Sequence, residues 1–543
     1  MFKKTKKEIQ LGIFSTATSF LSGRAESFYE NQEAWHNLFR QQVIIRIDES
    51  ICMPLFTVHT GAPNSAIRVL IGMMMLKEAN GWSDEQLFEQ GRYNLLVRSA
   101  LGLMNTDDAL PTESTYYLFR KRVVDYEKSS GINLIEKIFA SVTKGQSTDF
   151  QVSGKSIRMD SKLLGSNIAW FTRYELIHET LRLFCKDKKN ALLSHPSLTS
   201  EKTAIENLLK EKGNKVVYRS TNDEVKTKIG ELGVLAYKLL QLFASLSSKP
   251  LSTLSRVFSE QFIVNESQTV LPRSKEDIHA DSVQSPHDTD CHFRNKGDNK
   301  VKGYSINITE SCDHDKLNLI SRVDVRMATT ADSDFLQDGI SAAQEIFIDA
   351  IENAHTDGAY HSPENQEFCK NENINLLTNA IQGFSSRFDL SYGEDNQIVV
   401  LDTLTNENIP ATKVKGQEKW RINIGDRRRY FTAKEITTSL LRKKIGATPQ
   451  EILNIRNNVE ATIFQLGYHY RHNKSRYRGF IKHKMWANIR CLWVNFVRIA
   501  NFLTRLIKKN HFGFNSLTNE AFTLCITSTI VKFKLFLIKP IHC

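Results

Sequence analysis

From about Phe28 to Ala140 apolar residues recur every three or four positions, the spacing of helices with one buried face. SAIRVLIGMMMLKEANG predicts such a helix, and Gly81 can stop it. WSDEQLFEQGRYNLLVRSALGL follows with Ser83 as an N-cap, and LPTESTYYLFRKRVVDYEKSSG gives a third helix after Pro111. Residues 144–149 read as a short polar link. Gly154 to Met159 then reads as a buried strand that ends on Asp160, inside the stretch SIRMDSKLLGSNIA (Ser156–Ala169).

Residues 165–280 form a long, mainly helical stretch; ELIHETLRLF, TAIENLLKEKG and LGVLAYKLLQLFASL carry helical spacing. So long an excursion after a core strand is expected to form its own helical layer. Residues 267–284 are polar and read as loose. GYSINITES (Gly303–Ser311) and LNLISRVDVRMAT (Leu317–Thr329) alternate like strands, and SCDHDK between them suits a hairpin loop. Residues 333–353 read as a helix with Asp357 in the turn after it, and Ile374–Gln382 reads as another core strand. RFDLSY, QIVVLDTLT, KWRINIG and RRRYFTA alternate within 385–433 and predict a small β insertion. Helical spacing resumes at Lys434 and runs to about Leu506. The leader, residues 1–27, is basic and expected to be mobile; the segment beyond Lys509 is β-branched and unlike the rest.

The 543 residues are long enough for two or three domains, and 41% hydrophobic with 24% charged residues is a globular composition. A net charge of +12 favours a polyanionic partner. Eight cysteines, at 52, 185, 291, 312, 369, 491, 525 and 543, form no CxxC pair, which argues against a zinc ribbon and for free thiols in a reducing cytosol. No signal peptide and no membrane span is read.

Three acids stand out. Asp160 is either an ordinary helix N-cap or a carboxylate at the end of a core strand, where desolvation is costly unless it binds something. Asp357, in TDGAYHSPEN, is either an Asp-Gly turn or part of the same site; Tyr360 and His361 beside it either approach a ligand or pack. Glu460, in IRNNVEATIFQLGYHYR, has Arg456 one turn earlier, so the two could form a plain i,i+4 ion pair. From Lys413 to Lys509 there are 23 basic and 5 acidic residues. Arg427, Arg428, Arg429, Arg471, Lys474, Arg476, Arg478, Lys482 and Lys484 are densest, with Tyr468, Tyr470, Tyr477, Phe480 and Trp486 interleaved. Such a surface suits phosphates, with aromatics to stack on exposed bases. Arg120, Lys121 and Arg122 cluster on the third N-terminal helix. The three helices fit either a helix-turn-helix-like DNA reader or a small bundle with a solvated face.

The Asp160, Asp357 and Glu460 stretches, with SPHDTDCHFRNKGDNKVKGYSINITESC (Ser285–Cys312), resemble the DDE transposases of bacterial insertion sequences, specifically the group with an InsH-like helical N-terminal domain. The resemblance runs from about Phe28 to Phe502. It implies an α/β protein: a helical DNA-binding domain at 28–143, then a ribonuclease-H-like mixed-sheet DDE domain at 150–506, with a helical insertion at 165–280 and a β insertion at 385–433. Residues 1–27 are a leader and 510–543 an atypical tail. It implies Asp160, Asp357 and Glu460 as catalytic acids holding two Mg²⁺ (or Mn²⁺) ions. It also implies double-stranded DNA partners (terminal inverted repeats and target), a homodimer on DNA, and a cytoplasmic, nucleoid-associated protein with no membrane. Related proteins carry Tyr-x-x-Arg-x-x-x-Glu-x6-Lys. Arg456 and Glu460 match, Leu453 replaces the Tyr and Gly467 the Lys, and Arg471 can substitute if the helix continues. The implied activity is metal-dependent cleavage and strand transfer of element ends. A metal nuclease without strand transfer, or a non-catalytic DNA-binding relic, remains the alternative.

Overall fold

A computed structural model of the protein describes residues 1–5, 15–297, 299–379, 387–393, 397–425, 427–470 and 473–514. Arg471 and most of the 510–543 tail lie outside these residues. Seven helices come first: α1 (Gly23–Glu30), α2 (Trp35–Gln42), α3 (Ile67–Asn80), α4 (Asp84–Tyr93), α5 (Leu95–Leu101), α6 (Glu113–Ser130) and α7 (Leu134–Asp149). Gly81 terminates α3 in the left-handed conformation, and Ser83 starts α4 with a full capping box to Gln86. The sequence pattern gives α3 one buried face, but it is buried almost all round. The reason is a C-terminal helix, α19 (Phe480–Phe514), which packs against it from far along the chain. Residues 144–149 are the last turns of α7 rather than a polar link. The described part of the leader is tied down: the Met1 ammonium donates to the Ala62 carbonyl, and Lys4 pairs with Asp48 at 3.0 Å.

β1 (Ser156–Gly165) opens a six-stranded mixed sheet. It is longer than the pattern predicts, so Asp160 lies mid-strand and caps no helix. The helices α8 (Arg173–Asp187), α9 (Lys189–Ser194), α10 (Lys202–Lys210), α11 (Gly213–Tyr218), α12 (Asn222–Leu242) and α13 (Lys249–Gln261) follow, with a hairpin of β2 (Phe262–Val264) and β3 (Val270–Pro272). They enclose a core of their own around Leu181, Phe184, Leu239 and Phe262. Val270–Pro272 is strand, not loose chain.

β4 (His292–Lys296) and β5 (Asn299–Ser311) pair antiparallel, and β6 (Ile320–Met327) returns antiparallel on β5 as the hairpin predicted around SCDHDK. The 333–353 helix is shorter than expected: α14 (Leu336–Ile346) ends, and β7 (Asn353–Thr356) leads straight into Asp357. α15 (Pro363–Asn371) and β8 (Asn375–Thr378) complete the sheet, whose order is β6-β5-β1-β7-β8 with β4 continuing the β6 edge. β5 is antiparallel to β1, whereas β7 and β8 run parallel to it. One core joins one sheet face to the N-terminal helices and α19; a second, with α14, fills the other face. The small β unit holds β9 (Phe388–Tyr392), β10 (Ile398–Asp402), β11 (Glu407–Pro410), β12 (Thr412–Lys413), β13 (Lys419–Ile424) and β14 (Arg427–Thr432) in two three-stranded sheets. The last described elements are α16 (Ala433–Ala447), α17 (Gln450–Asn454), α18 (Val459–Leu466) and α19 (Phe480–Phe514). Among the described residues no helix is long and apolar enough to cross a membrane.

Candidate active site

The parallel register of β1 and β7 aligns Arg158 with His355. Two residues further on each strand stand Asp160 and Asp357, so the pairing sets the two carboxylates side by side. β7 stops there. Asp357 caps a short 3-10 turn by accepting the Ala359 amide at 2.9 Å, and that turn buries Tyr360. The Tyr360 hydroxyl accepts a hydrogen bond from the Asn307 amide and is fully enclosed, so it packs and does not face a ligand.

The third acid arrives from the other side. α18 lays Val459, Ile463 and Leu466 on the sheet, which leaves Glu460 at the rim, 67% exposed. Arg456, one turn before it, points back into the gap between the acids. Its guanidinium lies 2.8 Å from Asp160, 3.9 Å from Asp357 and 3.9 Å from Glu460. All three acids therefore meet around one cation, and the i,i+4 pair with Glu460 is one arm of a four-residue cluster. Arg456 Nε is buried and has no acceptor among the described residues.

A buried ionic layer holds this arrangement. Glu310 on β5, with no exposed side-chain surface, accepts from Arg158 at 2.6 Å, from Arg498 of α19 at 2.6 Å and from Thr462 of α18 at 2.9 Å. Burial alone would raise its pKa, but Arg498 and Arg158 outweigh that and hold it below the ordinary range. Arg158 also donates to the Ile455 carbonyl at 3.2 Å, which fixes the residue just before Arg456. His355 is buried beneath the same segment; desolvation lowers its pKa to about 4, so the ring stays neutral. Sequence reasoning passed over Glu310; an acid alternating with strand residues gives no sign that two arginines from distant helices will converge on it.

Desolvation raises the Asp160 carboxyl to about 6; Arg456 opposes the shift and the nearby charge of Asp357 adds to it. The donors are all hard carboxylate oxygens, the chemistry that suits Mg²⁺ or Mn²⁺. In the arrangement described, Arg456 stands among them, and no group of three His, Cys, Asp or Glu among the described residues is spaced to hold a metal ion. The donor set thus suits such ions in kind, while its centre holds the Arg456 guanidinium.

The basic residues divide into two groups. Arg427, Arg428 and Arg429 are exposed on β14, and Lys482 is exposed near the start of α19. The rest of the densest stretch serves largely as structure. Arg476 donates to the carbonyls of Gly81 and Trp82, which the end of α3 leaves open. Arg478 donates to the Asn167 carbonyl and Lys474 to that of Ile168, while Lys484 pairs with Glu127 at 2.9 Å. The interleaved aromatics, expected to stack on bases, are mostly core. Tyr470 and Tyr477 donate to Glu78, Trp486 is buried, and Phe480 stacks on Tyr304; Tyr468 is exposed. The 120–122 run also fails to form one patch. Arg120 lies over the rings of Tyr116 and Tyr477, while Lys121 and Arg122 are exposed, Arg122 with its guanidinium over Phe56. The six described cysteines are free and buried.

Residues 28–122, which hold the end of α1, all of α2 to α5 and the first part of α6, match the family model described as a transposase domain (DUF772). This match supports a transposase family. No curated protein and no solved structure matches the chain.

Proposed function

We propose that the protein is a DNA transposase of an insertion sequence, which binds the element's terminal inverted repeats, cleaves there and joins the freed end to target DNA. The observation that carries this reading is the meeting of Asp160, Asp357 and Glu460 around Arg456, from β1, the end of β7 and α18. The transposase-domain match over the N-terminal helices supports it independently. The strand order supports a ribonuclease-H-like core: three antiparallel strands, with two more parallel to the first.

In this reading Asp160, Asp357 and Glu460 would hold two divalent ions, which would supply charge neutralisation at the reacting phosphodiester. Asp160 and Asp357 are fixed by strand register, whereas Glu460 rides on α18, seated by the Glu310 layer. Arg456 offsets the mutual repulsion of the acids while they are free. The exposed Arg427–Arg429 edge and Lys482 offer positive charge to flanking DNA.

Duplexes taken from the DNA flanking the reading frame, incubated with the protein and Mg²⁺, test the reading. Nicked and joined product is expected. Nicks without joining would favour a metal nuclease, and binding without either a catalytically inert relic.

A further inference from the structure

We propose that Lys162 holds a backbone phosphate of the DNA strand that lies across the acid cluster; the proposal rests on the transposase reading above. Register puts Asp160 opposite Ile308 and Lys162 opposite Ile306, so both side chains rise from the same face of β1. They are two residues apart, about 6.6 Å along the strand. The Lys162 stem runs between apolar walls that include Leu164, Ile306, Ile463 and Leu466.

Its charge is unmatched. Arg158, Arg456 and Arg498, the other half-buried cations around this site, all pair with carboxylates. Among the described residues Lys162 has neither an ion pair nor a hydrogen bond. A cation placed partly out of water without a counter-charge costs free energy unless a ligand supplies one. Gly467, at the end of α18, leaves the amine uncovered: a Cβ built there would lie 4.0 Å from Nζ and meet nothing nearer. A compact ammonium at an open gap beside three carboxylates suits a phosphate oxygen, and the acids themselves stand too far off to neutralise it.

The test compares wild type, Lys162→Met and Lys162→Arg, each full length and without divalent ions, on duplexes from the DNA flanking the reading frame. Met keeps the apolar stem and drops the charge. One phosphate contact contributes about 0.9 to the slope of log affinity against log salt. Over a fourfold rise in salt, wild type should therefore lose about three- to fourfold more affinity than Lys162→Met. Lys162→Arg should restore the slope, as should Gly467→Lys placed on the Lys162→Met background. The thermal midpoint of Lys162→Met should equal or exceed that of wild type, which separates lost contact from lost fold. If wild type binds, and nicks the same duplexes once Mg²⁺ is added, but Lys162→Met keeps the same affinity and slope, the lysine is only a wall of the core and the inference falls alone. If wild type shows neither salt-dependent binding nor nicking, the transposase reading falls and takes the inference with it.

Discussion

Asp160→Asn should stabilise the metal-free protein. Asp160 is buried, and desolvation lifts its carboxyl from 3.8 to about 6. Two pKa units correspond to about 3 kcal/mol carried by the charged form at neutral pH. The amide removes that cost but loses the charged hydrogen bond from Arg456, which leaves the guanidinium with two contacts at 3.9 Å. The shift to about 6 already nets that bond against desolvation, so a gain of up to about 3 kcal/mol is expected. Because the folded pKa lies above the unfolded one, Asp160 favours the folded state below pH 3.8, and that contribution fades as pH rises through about 6. The advantage of the variant should thus be small in acid, grow between these values and level off above them. Thermal midpoints of both proteins across this range, in chelator, provide the check. A variant less stable than wild type at neutral pH, or a difference that does not change with pH, would refute the argument.

Glu310→Gln should destabilise the fold by about 3–5 kcal/mol, because it leaves Arg158 and Arg498 buried without their counter-charge. Since the folded pKa of Glu310 is depressed, its contribution in wild type should disappear as pH falls through and below the ordinary glutamate range of 4.5, an acid-side loss that the variant lacks. Replacing Arg427, Arg428 and Arg429 together with Ala should flatten the salt dependence of DNA binding by up to about three phosphate contacts and leave the thermal midpoint unchanged. An unchanged slope would put the phosphate path elsewhere.

Much of this architecture is legible along the chain, but unevenly. Alternation showed β5, β6 and the small β unit, and the caps at Gly81 and Ser83 marked helix ends, because each signal is local. The burial of α3 on all sides was not legible, since its covering partner is α19, some four hundred residues away. The same limit hid the meeting of Glu310 with Arg498. The spacing of Arg456 and Glu460 looked like a surface ion pair, and only the β1–β7 register brings the two aspartates to the same guanidinium. Basic density misled for a related reason. Composition does not distinguish an arginine that donates to the turn after a helix, as Arg476 does, from one without a carboxylate partner among the described residues, as Arg428 is.

The central claim is that Asp160, Asp357 and Glu460 form one catalytic unit on DNA. It is tested most directly by nicking and joining of the DNA that flanks the reading frame in Mg²⁺, with wild type, Asp160→Asn, Asp357→Asn, Glu460→Gln and the triple variant. The account predicts that wild type nicks and joins. Each single variant should lose both activities to about the same floor as the triple, because groups acting as one site do not contribute additively. All should still bind the DNA. A single variant that nicks as fast as wild type would contradict the account by removing that acid from the site.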